Sequence, residues 1–152
     1  RVPERLEVAR QLGADVAHDV RTLDGTSAAE QIREATKGWG ADMVIEAAGA
    51  AVVTMPQIER ALAPGGTVVY LGRTGERAPV MLDVLVSGAS RIVGARGHAG
   101  GGVYPHIIRL LEHDRIDVAA MIDCRMTLDQ APAALERSRK RTDAKILLVQ
   151  DA

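Results

Sequence analysis

Short apolar runs alternate with amphipathic segments along the whole chain, at about 25-residue spacing, and this alternation limits the possible folds more than any other feature. Such spacing suits βαβ units and a parallel sheet with helices on both faces. Residues 42–48, 67–71 and 91–95 read as strands; the first two are apolar enough to be buried on both faces. Two shorter extended pieces are expected at 15–19 and 121–125, and a terminal strand at 144–150.

Helix signals fill the gaps. Pro3 suits the first turn of a helix to Leu12, with Leu6, Ala9 and Leu12 on one face and Gly13 placed for the C-terminal cap. Capping boxes at Ser27/Glu30, Thr54/Gln57 and Thr127/Gln130 open helices to about Lys37, Leu62 and Lys140. Gly38 closes the first of these, and Pro105 opens another helix through His113. Pro64-Gly65-Gly66 reads as a turn, and residues 81–87 fit either a strand or a short helix.

Composition narrows the function classes. The 152 residues carry 19 basic and 20 acidic side chains in mixed order, for a net charge of −1, and only 2 % are aromatic. Such a chain has neither a basic stripe for phosphates nor a platform for base stacking, so a nucleic-acid partner is not expected. Its longest apolar runs are too short to span a bilayer, and no signal peptide is expected. Cys124, the one cysteine, has no internal partner, which fits a reducing cytoplasm and a small buried apolar role. The chain opens at Arg1 rather than Met, so it is either processed or a piece of something longer.

In an open parallel sheet, ligands bind beyond the carboxyl ends of the strands. Gly49, Gly72 and Gly97 fall at such ends, where glycine either lets a ligand approach the backbone or supplies a positive-φ turn. Glu46 fits a base, or equally a solvated or hydrogen-bonded residue of the sheet rim. The segment from Gly97 to Gly102 fits a loop covering a ligand or a plain connection. No G-x-G-x-x-G or P-loop pattern occurs, nor any G-x-S-x-G elbow. His98, His106 and His113 lack metal-ligand spacing and read as surface residues, and the basic run from Arg137 to Arg141 reads as compensation of a helix dipole.

Four stretches carry a family resemblance. The run from Arg1 to Asp15, the segment Gly38-Trp39-Gly40-Ala41-Asp42-Met43-Val44-Ile45-Glu46-Ala47-Ala48-Gly49 and the segment from Leu62 to Gly72 resemble, in order, the cofactor domain of zinc-type alcohol dehydrogenases. The closing Thr142-Asp143-Ala144-Lys145-Ile146-Leu147-Leu148-Val149 is similar to that family's last strand. The resemblance to these medium-chain dehydrogenases implies an α/β fold: a partial Rossmann-like, doubly wound parallel sheet lacking the first βαβ unit with its glycine-rich turn. Residues 1–152 would be the carboxyl-terminal portion of the dinucleotide-binding domain, with the catalytic zinc domain absent.

The same resemblance implies the site. Arg5 would lie near the adenosine ribose, and Ala47, Ala48 and Gly49 beside the cofactor. The backbone of Leu71, Gly72, Ala95, Arg96 and Gly97 would meet the nicotinamide, and Lys145 the pyrophosphate. The cofactor would be NAD or NADP, with the Arg1-Val2-Pro3-Glu4-Arg5 opening more like that of NAD users. Zinc would belong to the parent enzyme only; zinc-free quinone reductases share this domain. The substrate would be an alcohol or polyol, and Gly97 to Gly102 with Tyr104-Pro105-His106 is more similar to polyol dehydrogenases. The stretch from Pro79 to Leu85 would be an edge strand pairing across a homo-oligomer. Alone, the segment is expected to be inactive. A truncated remnant serving dimerisation or interaction is the alternative, and a flavodoxin-like module with another ligand fits the ordered motifs least.

Overall fold

The apolar runs in the middle of the chain lie side by side in a computed structural model that describes residues 3–23, 27–97 and 100–150. Strands β1 (Ala41–Glu46), β2 (Leu62–Tyr70) and β3 (Arg91–Gly94) form one parallel sheet in the order β1-β2-β3. Parallel neighbours need a crossover; α3 (Ala51–Ala61) supplies the first and α4 (Leu82–Ser87) lies within the second. The chain divides into two compact units, Leu23–Gly101 around this sheet and Arg1–Thr22 with Gly102–Ala152. Together they give the α/β class with parallel strands that the alternation implies.

In the first of these units, Ala51, Met55 and Ile58 on one stripe of α3 pack with Leu62 and Val68 as the core. Val44, Tyr70 and Ala78 complete its edge. Helix α2 (Ala28–Ala35) begins with both hydrogen bonds of the Ser27/Glu30 capping box. The Ser27 amide holds the Glu30 carboxyl below its usual range. Arg33 then donates to four main-chain carbonyls, at Gly38, Trp39, Arg60 and Leu62, within 2.8–3.1 Å. One guanidinium thus ties the end of α2 to the end of α3 and the start of β2.

Several boundaries differ from expectation. Helix α3 starts at Ala51, upstream of the Thr54/Gln57 pair, and has no side-chain cap from its own N-cap residue. Gln57 instead accepts from the Ala29 amide at 3.4 Å. Pro64-Gly65-Gly66 is a bulge within β2 rather than a turn before it. The register jumps from Ala41↔Leu62 to Met43↔Thr67, and Gly65 takes the left-handed conformation. The stretch from Pro79 to Leu85 is not an edge strand. Glu59 accepts the Met81 amide at 2.7 Å, and α4 follows at once. The sheet's outer edge on this side is β3. On β1, Met43 and Ile45 are 61 % and 60 % exposed, and the strand's other edge has no partner among the described residues.

The second unit contains α1 (Pro3–Gln11), α5 (Val103–Glu112), β4 (Ile122–Thr127), α6 (Ala131–Arg139) and β5 (Lys145–Val149). Strands β4 and β5 pair in parallel, with α6 as their crossover. The Thr127/Gln130 box is formed and opens a 3-10 turn leading into α6. Gly13, at φ 96°, ends α1 as expected, but no residue of α1 is buried. The strand expected at 15–19 is absent, since no described strand lies alongside to complete a ladder. Asp19 instead accepts from the Arg21 amide and guanidinium and turns the chain into a 3-10 turn at Val20–Thr22. Helix α5 begins two residues before Pro105, which sits in the first turn, where its missing N–H costs nothing.

Candidate functional site

The three strands of the larger sheet stop level with one another. Glu46 pairs with Tyr70, and Tyr70 with Gly94, so residues 47–49, 71–72 and 95–97 leave the sheet on one rim. Eight of the ten residues expected at a cofactor are therefore brought together. These are Ala47, Ala48, Gly49, Leu71, Gly72, Ala95, Arg96 and Gly97. Ala47, Ala48, Leu71, Ala95, Arg96 and Gly97 are exposed, while Gly49 and Gly72 are half-buried. Leu71, Ala95, Arg96 and Gly97 line, with Arg73, an open cavity of about 620 Å³. Ala47 and Ala48 border a separate, largely apolar groove floored by Ile32, Val44 and Ile58.

Glu46 organises this rim. At 3 % exposure it is the buried charged side chain of the described residues. One carboxylate oxygen accepts from the Gly49 amide at 3.2 Å; the other accepts from the Ala50 amide at 3.3 Å and the Thr54 hydroxyl at 3.2 Å. The carboxylate thus caps the N-terminus of α3, where negative charge is favoured. Its main-chain carbonyl accepts from Leu71 and Gly72 at 2.9 and 2.8 Å. Of the readings open for Glu46, the geometry supports the hydrogen-bonded one.

Gly72 owes its identity to Gly49 and Glu46, and Gly49 owes its own to a left-handed φ and the Arg73 main chain. A Cβ on Gly72 would lie 2.3 Å from the Gly49 nitrogen and 2.4 Å from a Glu46 carboxylate oxygen. A Cβ on Gly49, at φ +68°, would lie 2.5 Å from the Arg73 carbonyl oxygen. Nothing stands within 4 Å of the same position at Gly97, which is open. The third segment is tied in by the Ala95 amide, which donates to the Tyr70 carbonyl at 2.9 Å. The Tyr70 hydroxyl is buried with no hydrogen-bond partner among the described residues. Burial, with the nearby Glu46 charge, raises its pKa.

Arg5 and Lys145 are brought together in the other unit, where both line a cavity of about 300 Å³ with Ser138 and Asp143. Arg5 donates to the Asp143 carbonyl at 2.5 and 3.2 Å. The Asp143 carboxylate takes a fork of bonds from Arg137, 2.5–3.1 Å long, and this guanidinium holds its carboxyl below the usual range. Asp123 accepts the Ala144 and Lys145 amides at 2.5 and 3.0 Å. Sequence reasoning missed Asp123, Arg137 and Asp143. An acidic residue six positions beyond Arg137, just past the helix end, was the available signal. Arg137 is an ion-pair partner rather than dipole compensation alone.

Among the described residues no group of three or more His, Cys, Asp or Glu gathers to hold a metal ion. The described residues therefore do not fit a zinc site. His106 and His113 are exposed, and His98, with Ala99 of the glycine loop, lies outside the described residues. Cys124 is half-buried rather than a core residue, with an Arg137 nitrogen 3.5 Å from its sulfur. No described helix is long and apolar enough to cross a membrane.

A parallel α/β sheet with its loops gathered on the carboxyl rim defines an open α/β protein of the doubly wound class. The family described as zinc-binding dehydrogenase matches residues 1–113. The chain belongs to that family. It is 29 % identical over 151 residues to scyllo-inosose 3-dehydrogenase of Thermotoga maritima, covering 95 % of this chain and 36 % of that protein. It is 33 % identical over 127 residues to a putative D-xylulose reductase of Rhizobium meliloti, covering 81 % of this chain and 35 % of the relative. Among solved structures, a putative alcohol dehydrogenase from Thermotoga maritima superposes with a TM-score of 0.87 at 27 % identity, over 97 % of this chain and 38 % of that one. The benzyl alcohol dehydrogenase of Acinetobacter calcoaceticus gives 0.85 at 25 %, over 99 % and 41 %. The chain thus spans little more than a third of the length of these curated relatives.

Proposed function

We propose that this chain is the cofactor-holding portion of an NAD- or NADP-dependent alcohol or polyol dehydrogenase. The observation that carries the reading is the single rim on which β1, β2 and β3 end, occupied by eight residues of the expected cofactor set. The nicotinamide ring, when bound, supplies the acceptor or donor of a hydride exchanged with an alcohol carbon. The chain's own residues bind and orient it. The exposed main chain at Leu71 and from Ala95 to Gly97 faces the nicotinamide end, and Ala47 and Ala48 offer apolar contact to the adenosine end. Arg5 and Lys145 supply positive charge for the ribose and pyrophosphate. Lys145 suits that role because it makes no ion pair with a described residue and its backbone is held by Asp123.

This portion contributes no acid, base or metal ligand to the reaction, and zinc, if used, is held by residues elsewhere in the protein. NAD is favoured over NADP, and a polyol over a short alcohol, as the names of the inosose and xylulose relatives also suggest. A cytoplasmic setting and a homo-oligomer complete the reading. An intact mass decides which protein to assay. At the 16.2 kDa of this chain, no alcohol should be oxidised with NAD or NADP. A protein of full dehydrogenase length should bind NADH, seen by enhanced fluorescence, and oxidise polyols. Turnover by the homogeneous 16.2 kDa chain would overturn the division of labour. The second reading, a dimerisation module, is favoured by the exposed Met43, Ile45, Met81 and Val86. It requires a concentration-dependent dimer in sedimentation and no NADH binding.

A further inference from the structure

We infer that Glu46 is the positioning residue that couples the two cofactor-facing turns, 47–49 and 71–72, a role that rests on the dinucleotide reading above. Its geometry rules out two simpler roles. Both carboxylate oxygens already accept hydrogen bonds and the side chain is 3 % exposed, so it does not serve as a solvent-facing base. The Gly49 and Ala50 amides just before α3 are also taken by Glu46, so neither is available to a phosphate.

One residue instead makes two sets of contacts in opposite directions. The side chain gathers Gly49, Ala50 and Thr54, which sets the exit of β1 into α3. The carbonyl gathers Leu71 and Gly72, which sets the exit of β2. A methyl group on Gly72 would overlap Gly49 and one on Gly49 would overlap the Arg73 main chain, so the two exits are pressed together. A shift of the carboxylate therefore passes to the second turn through direct contact. Glu46 lines the groove that Ala47 and Ala48 border, but its side-chain hydrogen bonds go to Gly49, Ala50 and Thr54; Ala47, Ala48 and Leu71 are its neighbours in sequence or by hydrogen bond.

The test uses the protein at its full natural length. Glu46→Gln preserves shape but replaces one acceptor oxygen with an N–H₂ group facing an amide or hydroxyl donor. We expect hydrogen exchange at Gly49, Ala50, Leu71 and Gly72 to quicken together, and the Kd for NADH to rise, by roughly tenfold or more. Arg33→Ala, remote from the rim, should lower the thermal midpoint yet leave that Kd unchanged. Faster exchange at Gly49 and Ala50 with Leu71 and Gly72 still protected would overturn the coupling. So would NADH binding within about twofold of wild type, on the same scale. Absence of NADH binding by the wild-type protein would instead overturn the cofactor reading and the role together. Should Glu46→Gln fail to fold, Thr54→Val removes one of the three donors. It should weaken NADH binding by about threefold to tenfold, and an unchanged Kd overturns the proposal.

Discussion

The two compact units are built from the same parts, parallel strands joined by a helix, yet they cohere by different means. The unit from Leu23 to Gly101 buries Met55, Ile58, Leu62 and Val68 in one apolar cluster. In the other unit Ala134 is the buried hydrophobic among the described residues, and the β4–β5 pair is braced by Arg5, Asp123, Arg137 and Asp143. Apolar packing is non-directional and indifferent to salt, whereas exposed ion pairs are screened and sensitive to pH. A ligand rim needs fixed backbone, and the rim of eight expected residues sits on the unit with the packed core.

The sharpest way to break this comparison is to truncate one apolar side chain in each unit. Met55→Ala should cost roughly 2–5 kcal/mol, while Leu135→Ala, at 64 % exposure, should stay within about 0.5 kcal/mol. Denaturant midpoints of the two variants check this, and equal losses would erase the distinction. A smaller effect is expected at the Arg33 clamp of the packed unit. Arg33→Ala strands four carbonyls and should cost roughly 1.5–3 kcal/mol by the same measurement. The smallest effect sharpens the account of the other unit. Because the folded pKa of Asp143 is lowered by Arg137, its contribution is fully present above the ordinary aspartate range and is lost as pH falls through the lowered folded value. The difference in thermal midpoint between wild type and Asp143→Asn should therefore be positive near neutrality and vanish in acid. It should also shrink with added salt.

Much of the local structure was legible in the residues. The Ser27/Glu30 and Thr127/Gln130 boxes are formed as read, because a capping box closes within four residues. The apolar runs of β1, β2 and β3 pair as expected, and the glycines after β1 and β2 do mark the rim. The failures share a cause. Thr54/Gln57 looked like another box, but Glu46 takes Thr54 and Ala29 takes Gln57, partners 8 and 28 residues away. Residues 15–19 had the composition of a strand, but a strand needs a neighbour, and the described residues provide none.

The sequence by itself determined the alternation, the helix starts set by short-range caps, the family and the list of residues expected at a cofactor. Those depend on periodicity and on side chains reaching a turn or less along the chain. The tertiary structure alone decided that Glu46 is a buried cap rather than a base, and that Gly72 is a glycine because it meets Gly49. It also decided that Asp143 draws Arg5 and Arg137 together beside Lys145. The Arg5–Asp143 bond and the Gly49–Gly72 approach join segments far apart in sequence, of which spacing along the chain carries no record; the Glu46 and Arg137 bonds span only three to eight residues, and the path of the intervening chain decides whether they form.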